Sequence, residues 1–158
     1  MRDRLIFLDI DGVLNSNAIE HVSLLSDPFG WTVVPQILPK CVRNLNAIVG
    51  STEAKLVLSS AWRYSILNGD MTLRGFESLL RSHGVRGTLL GHTRLDRDDE
   101  PRWMQIRDWL REKTPSANYC ILDDDPDAFG GRPGVQTNGN GLTEADARRA
   151  IEILTEGT

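Results

Sequence analysis

The chain has 158 residues, 40% apolar and 25% charged, with a net charge of −4. That balance excludes a disordered or fibrous polymer and gives enough chain for one domain, 1–158, with a core of its own. The longest apolar runs, such as Leu5–Leu8, fall far short of the ~20 residues of a bilayer span, and Asp9 cuts the first too early for a signal peptide, so a cytoplasmic protein is expected.

The predicted elements alternate along the chain. Leu5-Ile6-Phe7-Leu8 reads as a buried strand, continuously apolar as parallel strands are. Residues 15–37 lack a period and carry Pro28, Gly30 and Pro35, which predicts a long loop or small flap. Leu38, Cys41, Val42, Leu45, Ile48 and Val49 then mark one stripe of a helix. Lys55–Leu58 is the second strand, and Leu73, Phe76, Leu79, Leu80 and His83 mark a second helix, ended by Gly84. A short strand is expected at 87–91. Pro101 opens a helix with Trp103, Ile106, Trp109 and Leu110 facing inward. Tyr119–Leu122 and Gly134–Thr137 read as strands. Thr143-x-x-Asp146 resembles a capping box for a last helix with Ala147, Ala150, Ile151 and Leu154 on its stripe.

Strands alternating with amphipathic helices predict an α/β fold, a doubly wound parallel sheet covered on both faces. Ligands of such sheets bind beyond the carboxyl ends of the strands, so the polar residues that follow each strand matter most. Asp9 and Asp11 follow the first strand, two apart, and project to the same side, while Gly12 lets the backbone turn. Ser59 and Ser60, then Ala61-Trp62-Arg63, follow the second. Asp123, Asp124 and Asp125 follow the Tyr119–Leu122 strand. Taken singly, each group reads equally as a turn, a cap or a solvated loop. Together at one rim, the carboxylates would repel one another without a cation, and a hard ion with oxygen ligands, Mg²⁺, answers that need.

Asp9-Ile-Asp-Gly-Val-Leu-Asn, Leu56-Val-Leu-Ser-Ser-Ala-Trp-Arg and Ile121-Leu-Asp-Asp-Asp resemble the first, second and fourth motifs of the haloacid dehalogenase (HAD) superfamily. That family's third motif is a Lys or Arg near the start of the helix before the fourth-motif strand. Arg102 sits there, with Arg107 as the fallback. More narrowly, the chain from Leu5 to Leu154 resembles the small HAD phosphatase domains found with RNA-repair enzymes. The resemblance implies a Rossmann-like core with a minimal cap and a phosphatase that forms an aspartyl-phosphate. Asp9 is then the nucleophile and Asp11 the acid and base. Asp9, Asp11 through its carbonyl, Asp123 and Asp124 are the Mg²⁺ set, with Asp124 ligating through water or holding the others in place. Ser59 holds a phosphate oxygen, with Ser60 second, and Arg102 neutralises the transferring group. Arg63 reaches a second phosphate or the substrate body, or else lies on the surface over Trp62.

Other residues read as structural. Trp103 and Trp109 belong to the core stripe; His21, His83 and His92 have no metal-ligand spacing; Trp31 anchors the flap or stacks on a base or sugar. Cys41 and Cys120 form neither a disulfide framework nor a zinc motif. A dehalogenase would leave Asp11 without a task, and a receiver domain would need a Lys beyond Lys113, where the chain has none. A noncatalytic phosphate-binding module and a small-metabolite phosphatase remain as alternatives. Neither long inter-strand stretch has room for a folded cap, so an open site is expected. Residues 61–113 hold ten Lys/Arg against eight Asp/Glu in a chain otherwise acidic, which favours a phosphorylated nucleic-acid end, with nucleotides as the smaller form of the same substrate class.

Overall fold

The apolar run at Leu5–Leu8 is the middle of a five-stranded parallel sheet, and every one of its side chains is buried. The computed structural model describes residues 2–17, 22–27, 30–69, 71–94 and 99–156, the strands at 22–27 and 30–35 by their backbone alone. In chain order, β1 (Arg4–Leu8) precedes an antiparallel hairpin of β2 (Val22–Asp27) and β3 (Gly30–Pro35), then α1 (Pro39–Thr52) and β4 (Lys55–Leu58). A 3-10 turn, Ala61–Arg63, runs into the single-turn α2 (Tyr64–Leu67). There follow α3 (Leu73–Ser82), β5 (Leu89–His92), α4 (Arg102–Lys113), β6 (Asn118–Asp123), β7 (Gly134–Gln136) and α5 (Glu144–Thr155).

The parallel sheet runs β5-β4-β1-β6-β7. From β1 the chain winds outward to β4 and β5, then returns to β6 on the other side. The reversal falls between β1 and its neighbour β6, the place where such sheets open a crevice at their carboxyl edge.

Period-2 alternation along β1 divides the core. Ile6 and Leu8 join Leu45, Ile48, Phe76, Leu80, Ala150 and Leu154, the buried faces of α1, α3 and α5. Leu5 and Phe7 face Ile106 of α4, with Trp109 and Leu110 packed alongside. Phe7 meets the rings of Trp109 and Tyr119 edge-on, at 5.7 and 5.8 Å between centroids, a favourable aromatic arrangement.

The helices begin where local chemistry dictates. Pro39 opens α1, where its missing N–H leaves no bond unmade. Pro101 stands just outside α4 as its N-cap, one position earlier than a first helical residue. At α5, Thr143 and Asp146 satisfy each other's backbone N–H groups, at 3.1 and 2.9 Å, so Asp serves in place of the usual Glu.

Two expectations change. The 15–37 segment contains the β2–β3 hairpin, paired from Val22↔Pro35 to Asp27↔Gly30. Gly30 and Pro35, which argue against a strand in the sequence, are the two ends of β3, where both residues are tolerated. Trp103 leaves the core stripe of α4. Its ring lies against Gly130 and under the Arg132 guanidinium, 4.5 Å from the centroid. A Cβ at Gly130, whose φ is +52°, would stand 2.6 Å from the indole, so glycine makes that contact possible. The Trp31 side chain and His21 lie outside the described residues. Among the described residues no helix is long and apolar enough to cross a membrane.

Thr143→Ala removes one half of the α5 capping box. A loss of about 1 kcal/mol is expected, read as a lower urea midpoint at unchanged slope.

Candidate active site

Backbone hydrogen bonds bring three strand ends to one level. Asp9 N–H donates to the Leu122 carbonyl at 3.0 Å, and Ser59 N–H donates to the Leu8 carbonyl at 3.0 Å. The ladder therefore places the residues following β1, β4 and β6 side by side. Asp9 is 2% exposed and Asp123 is fully buried. Carboxylate oxygens of Asp9, Asp123 and Asp124 lie within 4.8 Å of one another, a set able to hold a metal ion.

Such crowding needs a positive charge. Arg102, the first residue of α4, supplies one: its Nη1 lies 2.8 Å from Asp123 Oδ2 and 3.4 Å from Asp9 Oδ2. Arg107 points elsewhere, donating to Asp108 at 2.9 Å and lying 5.5 Å from the Trp103 ring. Five residues along a helix of 3.6 per turn separate the two side chains by more than a quarter turn.

Burial, and next the charge of Asp123, push the Asp9 carboxyl up to about 8 even though Arg102 pulls the other way. Asp123 is raised too, again by burial first, with Arg102 opposing. Arg102 is held above its ordinary value by the two acids, against its own burial. Acids whose ionisation is opposed by burial and by one another in one pocket mark a candidate functional site.

The remaining acids are held individually. Asp11 accepts from the Trp62 indole, 3.0 Å from Oδ2 and 3.1 Å from Oδ1, and from the Asn15 amide at 3.0 Å. Asn15 Oδ1 in turn accepts from Gly12 N–H at 2.9 Å. Asp124 accepts from Asn17 at 3.1 Å. Gly12 has φ +79°, and a Cβ there would lie 2.5 Å from Asp124 Oδ2, so glycine is required both for the turn and for the approach of the acid. Thr137 fixes that turn by donating to the Gly12 carbonyl at 2.7 Å. Asp125 and Asp127 stand outside the triad. Asp125 N–H donates to Asp123 Oδ1, and its own carboxylate accepts from Asp127 N–H, both at 2.9 Å.

Ser59 Oγ is buried without a hydrogen-bond partner. A buried orphan hydroxyl costs free energy unless a ligand completes it. Ser60 differs: its Oγ accepts from Trp62 N–H at 3.2 Å and caps the 3-10 turn. Arg63 is not a surface residue covering Trp62. It is 2% exposed, and its guanidinium donates to the Ser59 carbonyl and, at 2.6 Å, to Gln105 Oε1. Beside Arg102, a cavity of about 580 Å³ is bordered by Arg63, Tyr64, Glu100, Trp103, Asp125 and Asp127, among others. Sequence reasoning missed Trp62, Asn15 and Asn17 as partners of the acids. Trp62 and Asn15 lay within the motifs themselves, but a tryptophan or amide beside a motif carries no signal of where its N–H will point.

Paired acids after β1, a hydroxyl after β4, a cation from the helix before β6 and further acids after β6 define a HAD-type domain. The family described as "HAD domain in Swiss Army Knife RNA repair proteins" matches residues 5–147, and the chain belongs to it. Comparison with curated proteins and with solved structures gives no match. Membership carries a phosphatase-like role for the domain.

The raised Asp9 carboxyl has a consequence for stability. An unfolded Asp loses its proton near 3.8, while the folded one keeps it to about 8. The folded state therefore binds more protons between these values, and without divalent cations stability falls as pH rises through that window. Asp9→Asn should remove this part of the slope, being more stable than wild type at pH 8 but not at pH 4. Urea denaturation at the two pH values, in chelator, checks it.

Proposed function

We propose that the protein is a Mg²⁺-dependent phosphomonoester hydrolase that works through an aspartyl-phosphate on Asp9 and acts on phosphorylated nucleic-acid ends. The observation that carries this reading is the convergence of the buried Asp9 and Asp123 with the half-buried Asp124, the first two bridged by the Arg102 guanidinium.

The donor set fits a hard divalent cation, since it offers several carboxylate oxygens and no soft ligand. Asp9, Asp123, Asp124 and the Asp11 carbonyl would hold it. When bound, Mg²⁺ offsets the negative charge of the acids and of the phosphoryl oxygens.

The chain's own groups carry the reaction. An Asp9 carboxylate oxygen attacks phosphorus, and the bond from phosphorus to the leaving oxygen breaks as Asp11 gives that oxygen a proton. Asp11 then takes a proton from water, which attacks the aspartyl-phosphate and releases inorganic phosphate and free Asp9. Trp62 and Asn15 orient the Asp11 carboxylate for both transfers. The unpartnered Ser59 hydroxyl donates to a phosphoryl oxygen, and Arg102, already at Asp9, neutralises the charge that develops there.

Three features support a nucleic-acid end as substrate. The family's description names RNA repair. The 61–113 segment carries net positive charge. The cavity beside Arg102 is bordered by the exposed Tyr64, an aromatic surface of the kind on which bases stack.

With Mg²⁺ and a 3′-phosphorylated oligonucleotide, wild type should release phosphate and folded Asp9→Asn should retain no more than a trace. Activity well above that would remove Asp9 as nucleophile. Asp123→Ala should lose Mg²⁺ affinity and turnover together, with Asp125→Ala and Asp127→Ala much less affected. Arg102→Ala should cost about 3 kcal/mol of transition-state stabilisation, as for one lost electrostatic donor.

Substrate size is tested separately. Catalytic efficiency on the oligonucleotide should exceed that on the matching mononucleotide at low salt, and the gap should close at moderate salt as outer phosphate contacts are screened. Equal efficiency on both would favour a small-metabolite phosphatase.

A further inference from the structure

Among the described residues, Arg63 is a buried cation with no carboxylate at salt-bridge distance, and its hydrogen bonds run to neutral acceptors: the Ser59 carbonyl, Gln105 Oε1 at 2.6 Å and the Arg94 carbonyl at 3.5 Å, while its Nε makes none. Although Arg63 borders the cavity beside Arg102, 2% exposure leaves it little surface to offer a substrate. Burying a charge in this way is unfavourable unless the hydrogen bonds it makes are needed.

Those bonds join the two elements that serve the phosphate. Ser59 ends the β4 segment and holds the unpartnered hydroxyl. Gln105 is 3% exposed and lies three residues after Arg102, one turn on along the same side of α4. One guanidinium thus spans from the backbone of Ser59 to the turn of helix that carries Arg102. A planar fork suits this task, because it fixes direction as well as distance.

We propose that Arg63 is a positioning residue that ties the end of β4 to the first turn of α4, and so holds the Ser59 hydroxyl and the Arg102 guanidinium in one phosphate seat. The proposal rests on the phosphatase reading, and it replaces substrate contact as the role of Arg63. Gln105 is its second half. Without the strut, each phosphate-binding group remains present but is no longer fixed relative to Asp9.

The test uses hydrolysis of para-nitrophenyl phosphate with Mg²⁺ by the full chain. Arg63→Met and Gln105→Leu should each lower kcat by roughly 10- to 100-fold, the scale of a small misplacement of reacting groups. KM should move by no more than about threefold, since the loss falls on the transition state. Arg63→Lys, which keeps the charge but reaches fewer acceptors, should recover part of the rate. Gln105→Glu, which keeps an acceptor for Arg63 but loses the amide donor, should recover more of the rate than Gln105→Leu. In a Ser59→Ala background, Gln105→Leu should cost much less than in wild type, because the two changes disable one seat. A rise in KM with unchanged kcat for Arg63→Met, or full additivity with Ser59→Ala, would overturn the proposal.

Crystal structures of wild type and Gln105→Leu give a readout that needs no activity. Displacement of Ser59 Oγ and the Arg102 guanidinium relative to Asp9 is expected in the variant; unchanged positions would overturn the strut. An inactive wild type accompanied by that displacement would count against the phosphatase reading and leave the strut standing.

Discussion

Three carboxylates within 4.8 Å of one another, two of them buried and the third half-buried, set the terms for the rest of the molecule. Their repulsion and desolvation oppose folding, and the fold must supply positive charge and donors where the acids converge. Arg102 bridges Asp9 and Asp123 in one stroke. The third acid, Asp124, is steadied by Asn17 and reaches the group only because Gly12 has no side chain in its path. The sheet order is part of the same solution. With β6 beside β1 and the winding reversed between them, two acidic strand ends meet across a crevice rather than across packed backbone.

The site shows a division of labour among its donors. Asp9 and Asp123 share a guanidinium, whereas Asp11 is addressed by neutral N–H groups from Trp62 and Asn15. Neutral donors orient a carboxylate without committing it to an ion pair, which suits the acid and base role proposed for Asp11. A strong charge partner would resist that exchange. Acids only two residues apart and chemically identical, Asp9 and Asp11, thus stand in two different environments, one charged and one neutral.

Much of this was legible in the sequence because it depends on strand ends. Continuous apolar runs at Leu5–Leu8, Lys55–Leu58 and Tyr119–Leu122 locate three neighbouring parallel strands, and the polar residues after each must then share a rim. Arg102 was legible only through the family resemblance, as the cation near the start of the helix before the acidic strand end. What escaped was the direction of individual side chains. Ser60 and Ser59 are the same residue type in adjacent positions, yet one hydroxyl caps a turn and the other is unpartnered. Trp103 shares the period of Ile106 and Trp109, but a glycine from a distant loop draws it away from the sheet. The hairpin was hidden because residues 22–35 show no clean alternating period and carry Pro28, Gly30 and Pro35, although the pairing itself is local.

The five residues after β4 bring these arguments together. Across Ser59–Arg63 the chain delivers an unpartnered hydroxyl, a turn cap, a donor to Asp11 and a donor to α4. Neighbouring Trp62 and Arg63 serve different elements: the indole reaches the loop after β1, and the guanidinium reaches Gln105. A tight 3-10 turn makes this possible, since its three residues per turn send adjacent side chains about a third of a circle apart. An ordinary loop of the same length could place one such contact but would leave the others to its own mobility. Capping by Ser60 stabilises that turn, so a residue with no contact to any acid helps set the Trp62 indole against Asp11. The charge balance of the acids therefore works together with a short capped turn that ties the end of β4 both to the loop after β1 and to α4.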